Sequence, residues 1–327
     1  MTVLVTGGAG YIGSFAVRAL HRRGDGVVVL DNLSAGHRAA VPADVPFYQG
    51  DLADLDLLRR IMREHDVQQV MHFAAFTSVP ESVEQPERYF QNNTVNALGV
   101  LQVMRELGRS GFIFSSTAAT YGEPREVPIT EDHPNQPTNP YGLSKLFIEH
   151  ILKSYDQAYG MKFVALRYFN ACGGAPDLGE DHTPETHLIP LILQVALGQR
   201  EAINVYGDDY PTRDGTCVRD YIHVEDLADA HVLALDHLRK GGDSQIINLG
   251  NGQGFTVREV IQTVRDVTGH AIPERVAPRR AGDPSALIAS SEKARRVLGW
   301  HPQKADLRTI VESAWEWHKS HPNGYGD

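Results

Sequence analysis

Short apolar runs alternate with longer amphipathic stretches through the first half of the chain. Thr2-Val-Leu-Val-Thr6 and Val27-Val-Val-Leu30 read as buried strands. Between them, apolar residues at helical spacing run to about Arg23, where Gly24 stops the pattern. Pro46–Gln49, Val67–Ala74, Gly111–Ser116 and Lys162–Tyr168 predict further strands, with helical patterns in between. Strand–helix repetition of this kind predicts a parallel sheet covered by helices on both faces, with ligands gathered at the carboxyl ends of the strands. Those ends are small and polar here: Gly50-Asp51, Phe73-Ala-Ala75, Ser115-Ser-Thr117 and Arg167-Tyr-Phe-Asn170.

After Asn170 the texture changes. Residues 171–220 are rich in Gly, Pro, Asp and His, with one apolar helix predicted at Leu188–Leu197. A helical Val224–Leu238 and a strand-like Gln245–Leu249 then read as a return to the main sheet, and a Trp-rich amphipathic stretch closes the chain. The expectation is an α/β protein. A doubly wound parallel sheet of the Rossmann type spans 1–170, with residues 221–250 returning to it, and a smaller substrate-binding α/β domain spans 171–327.

Gly7-Gly-Ala-Gly10-Tyr-Ile-Gly13 follows the first strand directly and opens the first helix; the next strand ends in Asp31, eighteen residues after Gly13. Strand, glycine loop, helix, strand and acid form a dinucleotide-binding unit in its required context. The glycines let the backbone approach a pyrophosphate whose charge rests on the helix N-terminus. Asp31 suits ribose hydroxyls and repels a 2′-phosphate, which favours NAD over NADP.

Asn139-Pro-Tyr141-Gly-Leu143-Ser-Lys145 opens another predicted helix, with Asn139 as N-cap and Pro140 at the first helical position. Leu143, Phe147 and Ile151 recur every four residues, as a buried stripe would. Tyr141 and Lys145 stand one turn apart on one face and can act on the same atoms. An ammonium beside a phenol favours the phenolate, and so does the positive ring of an oxidised nicotinamide. The pair is therefore a candidate base for a sugar or alcohol hydroxyl. A lone Tyr-x-x-x-Lys is a weak signal; the glycine loop before it, and Thr117 at a strand end facing the same region, give it weight.

A balance of 31 basic against 41 acidic residues argues against nucleic acid or an anionic membrane as partner, and an anionic substrate would need local arginines. Two cysteines, Cys172 and Cys217, suggest neither a disulfide framework nor a metal cluster. No apolar run approaches the ~20 residues that span a bilayer, and a strand beginning at Thr2 leaves no room for a signal peptide; a cytoplasmic protein is expected. His182 and His187 invite a metal reading, but no third ligand has suitable spacing, so no metal is expected.

With the glycine loop, Ser115-Ser-Thr117 and Tyr141-x-x-x-Lys145 together, the chain resembles the extended short-chain dehydrogenase/reductase superfamily. Further stretches resemble its UDP-glucose 4-epimerase family: Leu30-Asp-Asn-Leu33, Gly179-Glu-Asp-His182, Tyr206-Gly-Asp-Asp-Tyr-Pro211, Asp214-Gly-Thr-Cys-Val-Arg-Asp-Tyr-Ile-His223 and Pro278-Arg-Arg-Ala-Gly-Asp-Pro284. The resemblance implies Tyr141 as acid and base, Lys145 tuning it and holding the nicotinamide ribose, and Thr117 hydrogen-bonding the reacting hydroxyl. It places Gly7, Gly10, Tyr11, Ile12, Gly13, Asp31, Asn32, Asp51, Leu52, Phe73, Ala74, Ala75, Asn93 and Phe169 around NAD. Asn170, His187, Tyr206, Arg219, Arg280 and Asp283 fall along a UDP-sugar, with Leu287 beside the sugar C2. Two departures stand out: Thr77 replaces a lysine that some members carry near the cofactor phosphates, and His187 replaces an asparagine. The implied reaction interconverts UDP-glucose and UDP-galactose, in a homodimer paired through the helical stretches around Tyr89–Leu107 and Tyr141–Ile151. A dehydratase on this scaffold needs an Asp-Glu pair after the threonine, where Ala118-Ala119 stand. A UDP-uronic acid or UDP-N-acetylhexosamine 4-epimerase, and a non-catalytic dinucleotide sensor, are the alternative readings.

Overall fold

A computed structural model describes residues 1–280 and 283–326; Ala281 and Gly282 of the Pro278–Pro284 motif lie outside the described residues. Seven parallel strands form the central sheet. Six are β1 (Thr2–Thr6), β2 (Gly26–Asp31), β3 (Phe47–Gln49), β4 (Val67–His72), β5 (Phe112–Thr117) and β6 (Phe163–Tyr168). The seventh, Gln245–Leu249, pairs with β6, so the order across the sheet is Gln245–Leu249, β6, β5, β4, β1, β2, β3. Chain order reverses between β1 and β4, which opens a crevice at their carboxyl ends.

The strands are apolar on both faces because both are covered. One face packs on the helices Tyr11–Arg22 and Val224–Arg239, through Val3, Val5, Val29, Ile113 and Leu166. The other packs on Leu55–Glu64, Asn96–Glu106 and Pro140–Tyr159, through Leu4, Val28, Val70, Phe112 and Phe114. A second core, built around Ile192, Leu193, Val260, Ile261, Ile310 and Val311, joins the helices Leu188–Ala196, Val257–Thr268 and Leu307–Ser320. Short strands hold this part to the crevice: Asn170–Cys172 runs parallel to Tyr221–His223, and Val218–Arg219 lies between Phe255–Thr256 and Ala286–Leu287.

Two details differ from the sequence reading. β4 stops at His72 rather than Ala74, because the Phe73 and Ala74 N–H groups both donate to Thr6 O and the chain peels away from the sheet edge-on. The helix Pro140–Tyr159 begins as expected, with Asn139 Oδ1 accepting from Gly142 N at 2.8 Å, but its buried face is not Leu143, Phe147 and Ile151. The buried side is Ser144, Lys145, Ile148, Glu149 and Leu152, while Phe147 is 42% exposed and packs on Phe90. The helix carries two stripes, and the one against the sheet includes two charges whose partners lie on distant strands.

Candidate active site

A cavity of about 1260 Å³ runs from the glycine loop across the strand tips to the segment around Arg219 and Arg280. That exceeds the roughly 300–1,000 Å³ of a typical small-molecule pocket and suits two nucleotide-sized ligands side by side. Of the residues singled out in the sequence, one does not line it. Asn93 is buried one layer behind: its Oδ1 accepts from Phe76 N at 2.8 Å, and its Nδ2 donates to Phe76 O at 3.0 Å and to Ser144 Oγ at 3.1 Å. In this structure it braces the loop after β4 against the Tyr141 helix.

The first helix starts at Gly10 with no side chain capping it, so its leading N–H groups face the cavity with the positive end of the helix dipole behind them. A Cβ on Gly13 would stand 2.1 Å from Gly7 O, which ties the tight turn to glycine. A Cβ on Gly10 would meet nothing nearer than Gly7 O at 3.4 Å, so the space left there is open for a phosphate rather than filled by protein. Asp31 Oδ2 accepts from Ala9 N at 2.9 Å and its Oδ1 from Leu33 N at 2.8 Å, holding the glycine loop and the loop after β2 together. A carboxylate has about four acceptor sites, so capacity remains for ribose hydroxyls. Asn32 Nδ2 donates to Asp51 Oδ2 at 3.0 Å, joining two more cavity-lining side chains. An uncapped helix end, an open glycine and a carboxylate at the tip of β2 fit NAD.

Thr117, at the tip of β5, faces the Tyr141 phenol, and Lys145 lies in the same wall. Lys145 Nζ donates to Ser115 O at 2.9 Å and sits 5.1 Å from the Phe114 ring centre. Burial pushes this lysine down to about 7. Burial also pushes the Tyr141 phenol up, with the facing Thr117 hydroxyl pulling the other way. Lys145 shares this dry wall, so burial works against charge on both side chains, and a positive charge brought beside the phenol, such as an oxidised nicotinamide, would favour the phenolate.

At the far end, Arg219 Nη2 lies 3.4 Å from Asp283 Oδ1 and Arg280 Nε lies 3.2 Å from Asp283 Oδ2, so one carboxylate spans two guanidiniums. Arg280 also stacks over Tyr206, 4.5 Å from the ring centre. Asn170 Nδ2 donates to Asp220 O at 2.9 Å, and Leu287 packs with Ala118, Tyr121 and Phe169. His187 does line the cavity, but the sequence reading that no third donor stands near it and His182 is corrected: Glu180 and Glu185 bring a carboxylate oxygen each to the same spot. Burial opposes charge on both rings, yet these carboxylates outweigh it, pushing His182 up to about 9 and His187 up to about 10.

With this geometry in hand, likeness to known proteins is decisive. Residues 3–250 match the family described as "NAD dependent epimerase/dehydratase family". A UDP-glucose 4-epimerase of Lacticaseibacillus casei is 55% identical, covering 100% of this chain and 99% of that protein. One from Halalkalibacterium halodurans is 57% identical over 99% of this chain and 98% of its own. The chain belongs to the UDP-glucose 4-epimerase family. A crystal structure of a UDP-glucose 4-epimerase, 54% identical, superposes with a TM-score of 0.97 over 99% of each chain. The Bifidobacterium longum enzyme in complex with NAD+ and UDP, 40% identical, gives 0.94 over 99% of this chain and 100% of that one.

Three features of the site were given no role in the sequence reading. Tyr168 Oη sits 2.5 Å from Ser115 Oγ and lines the cavity beside Tyr141. Ser34, Ala35 and Gly36 extend the wall beyond Asp31, and only their small size signalled it. Behind the catalytic wall, Glu149 of the Tyr141 helix is paired with Arg167 of β6, both 2% exposed or less. Residues eighteen apart on different elements leave no local pattern.

Proposed function

We propose that this chain interconverts UDP-glucose and UDP-galactose by inverting the sugar C4, with residues 1–170 holding NAD and 171–327 the UDP-sugar. The observation that carries the reading is a single cavity in which a buried tyrosine–lysine–threonine set stands between an uncapped helix N-terminus and a pair of arginines. Bound NAD supplies a hydride acceptor and donor, so the reaction has no net redox change. Tyr141 takes the C4 hydroxyl proton and later returns it, and Thr117 holds that hydroxyl in line with the phenol oxygen. Lys145 holds the nicotinamide ribose. Arg219 and Arg280 exchange Asp283 for the diphosphate, offsetting an acidic chain where the anion sits. Anchored there, the flat 4-keto sugar turns over and presents its other face, which requires a loose sugar pocket and a tight nucleotide pocket.

Leu287 bears on substrate range. An aromatic residue at this position would wall off an acetamido group and a small one would admit it. Leucine is intermediate, and a poor fit costs roughly 1–3 kcal/mol rather than forbidding binding. Among the similar structures is a UDP-Glc/GlcNAc 4-epimerase of Campylobacter jejuni, 40% identical with a TM-score of 0.87 over 98% of this chain and 99% of that one. The test is to incubate each UDP-sugar with the protein and NAD, without reductant, and follow the sugars by NMR. UDP-glucose should reach a mixture with UDP-galactose without NADH release. UDP-N-acetylglucosamine should convert more slowly, and Leu287→Tyr should abolish that slower reaction alone. No conversion of UDP-glucose, or stoichiometric NADH, defeats the proposal.

The second half of the proposal is a homodimer. Val83, Val95, Leu98 and Phe147 are 36–62% exposed on the neighbouring helical segments that cover this side of the sheet. An isologous pairing of those segments across a two-fold axis would cover them. Light scattering at micromolar concentration should give twice the chain mass; a monomer counts against it.

A further inference from the structure

Between Glu180 and His187 the chain folds back so that one donor atom from each of Glu180, His182, Glu185 and His187 lies within 4.8 Å of all the others. His187 Nδ1 is 2.9 Å from Glu180 Oε1 and 2.9 Å from Glu185 Oε1. His182 Nδ1 is 3.3 Å from Glu180 Oε1 and 3.7 Å from Glu185 Oε2. A tetrahedral shell of nitrogen and oxygen ligands about 2.0–2.2 Å from zinc places neighbouring ligands about 3.3–3.6 Å apart; the nitrogen–oxygen separations lie on either side of this, those to Glu185 falling on different oxygens, and no pair of the four donors is more than 4.8 Å apart.

Hydrogen bonding accounts for the arrangement poorly. One N–H on His187 Nδ1 cannot point at two carboxylates equally distant from it. His182 Nδ1 is buried and, despite the nearby Glu180 oxygen, makes no aligned hydrogen bond. A single cation bound by both Nδ1 lone pairs and one oxygen of each carboxylate would satisfy both nitrogens at once. The carboxylates themselves are 4% and 6% exposed and need positive charge beside them, which the two rings supply in the metal-free chain and a bound cation would replace. Glu185 Oε1 also accepts from Thr186 N at 2.6 Å and His187 N at 2.7 Å, which fixes the loop geometry before any ion arrives.

We propose that Glu180, His182, Glu185 and His187 form a structural zinc site that ties this segment to the wall of the nucleotide cavity. Two imidazoles with two carboxylates suit zinc better than magnesium or calcium, which prefer all-oxygen shells. On binding the ion both rings give up their protons, and two neutral rings, two carboxylates and a divalent ion sum to zero charge beside carboxylates that are nearly buried. The ion carries no proton or hydride. It holds His187 where the helix Leu188–Ala196 begins, and holds the His182 ring edge-on to Tyr11, 6.3 Å between centres, in the glycine loop. Tyr11 in turn donates to Gly173 O at 2.7 Å, so the site would clamp the two halves of the cavity together.

The test uses the full-length chain without a polyhistidine tag, stripped with chelator and titrated with zinc sulfate against a chromophoric chelator, with metal content read by mass spectrometry. One zinc per chain is expected, along with a rise in Tm on zinc addition that a chelator reverses. Cobalt(II) in its place should give the intense visible bands of tetrahedral coordination. The His182→Gln/Glu185→Gln double variant should bind zinc at least 10²-fold more weakly and show no zinc-dependent rise in Tm. A wild-type chain that takes up no stoichiometric zinc at saturation overturns the proposal, whether or not the double variant folds. So does a folded double variant that binds as the wild type does.

Discussion

Tyr141→Phe should lower turnover by at least ~10²-fold while leaving the fold and UDP-sugar binding nearly unchanged. The substitution removes one oxygen from a side chain whose ring packs the same way, so the geometry of Thr117 and Lys145 survives. What is lost is proton transfer, typically worth 10²–10⁴-fold. The pH dependence separates this role from a packing role. Burial raises the Tyr141 phenol above its usual value, so its basic form grows as pH rises and wild-type turnover should climb through neutrality until the cofactor-bound phenol is fully ionised. The Phe variant has no such group, and its residual rate should be flat where the wild type climbs. Steady-state rates at saturating UDP-glucose from pH 6 to pH 9, with NAD added, make the measurement. A Phe variant that stays within a few-fold of wild type, or keeps the climb, removes Tyr141 from the chemistry. The same comparison on Lys145→Met is less informative, because Lys145 also donates to Ser115 O and its loss disturbs β5.

Much of the site was legible because its chemistry is local in sequence. The glycine loop needs close backbone approach, the acid must end the next strand, and Tyr141 and Lys145 must share one turn of helix; each constraint is a spacing. Of the strand-tip residues, all but Ser116 and Arg167 line the cavity. What escaped were relations set by rotation and by distance along the chain. Leu143, Phe147 and Ile151 form a regular apolar stripe, yet the helix turns its other side to the sheet, since Lys145 and Glu149 find partners on β5 and β6 there. Periodicity alone does not say which of two stripes is buried. His182 and His187 read as a pair with no third ligand at suitable spacing. Glu180 and Glu185 complete the four only once the loop folds back. Asn93 was placed at the cofactor by resemblance, whereas its side-chain hydrogen bonds here are to Phe76, Ser144 and Asn92.

Glu149→Ala should cost about 3–5 kcal/mol of stability, more than removing most core methyl groups. Glu149 Oε1 accepts from Arg167 Nε at 2.9 Å and from Ser116 Oγ at 2.6 Å, and Oε2 pairs with Arg167 Nη2. Arg167 also lies over the Tyr121 ring, 4.6 Å from its centre, and its Nη1 has no protein partner. Removing the carboxylate leaves a guanidinium with no counter-charge in a place water hardly reaches, the costliest way to break a buried pair. The loss should extend to the chemistry, because Glu149 bolts the Tyr141 helix to β6 through Arg167 and to β5 through Ser116, between Ser115 and Thr117. Replacing both partners separates the charge effect from the loss of packing: Glu149→Leu with Arg167→Met should recover most of the stability, since an apolar pair of similar size avoids the desolvation penalty altogether. Urea unfolding at saturating NAD gives the three values. If the single variant costs under about 1 kcal/mol, Arg167 does not depend on Glu149. If the double variant is no more stable than the single, the pair is held by shape rather than by charge. Recovery of stability without recovery of turnover would show that the ion pair sets the position of the Tyr141 helix as well as holding it in place.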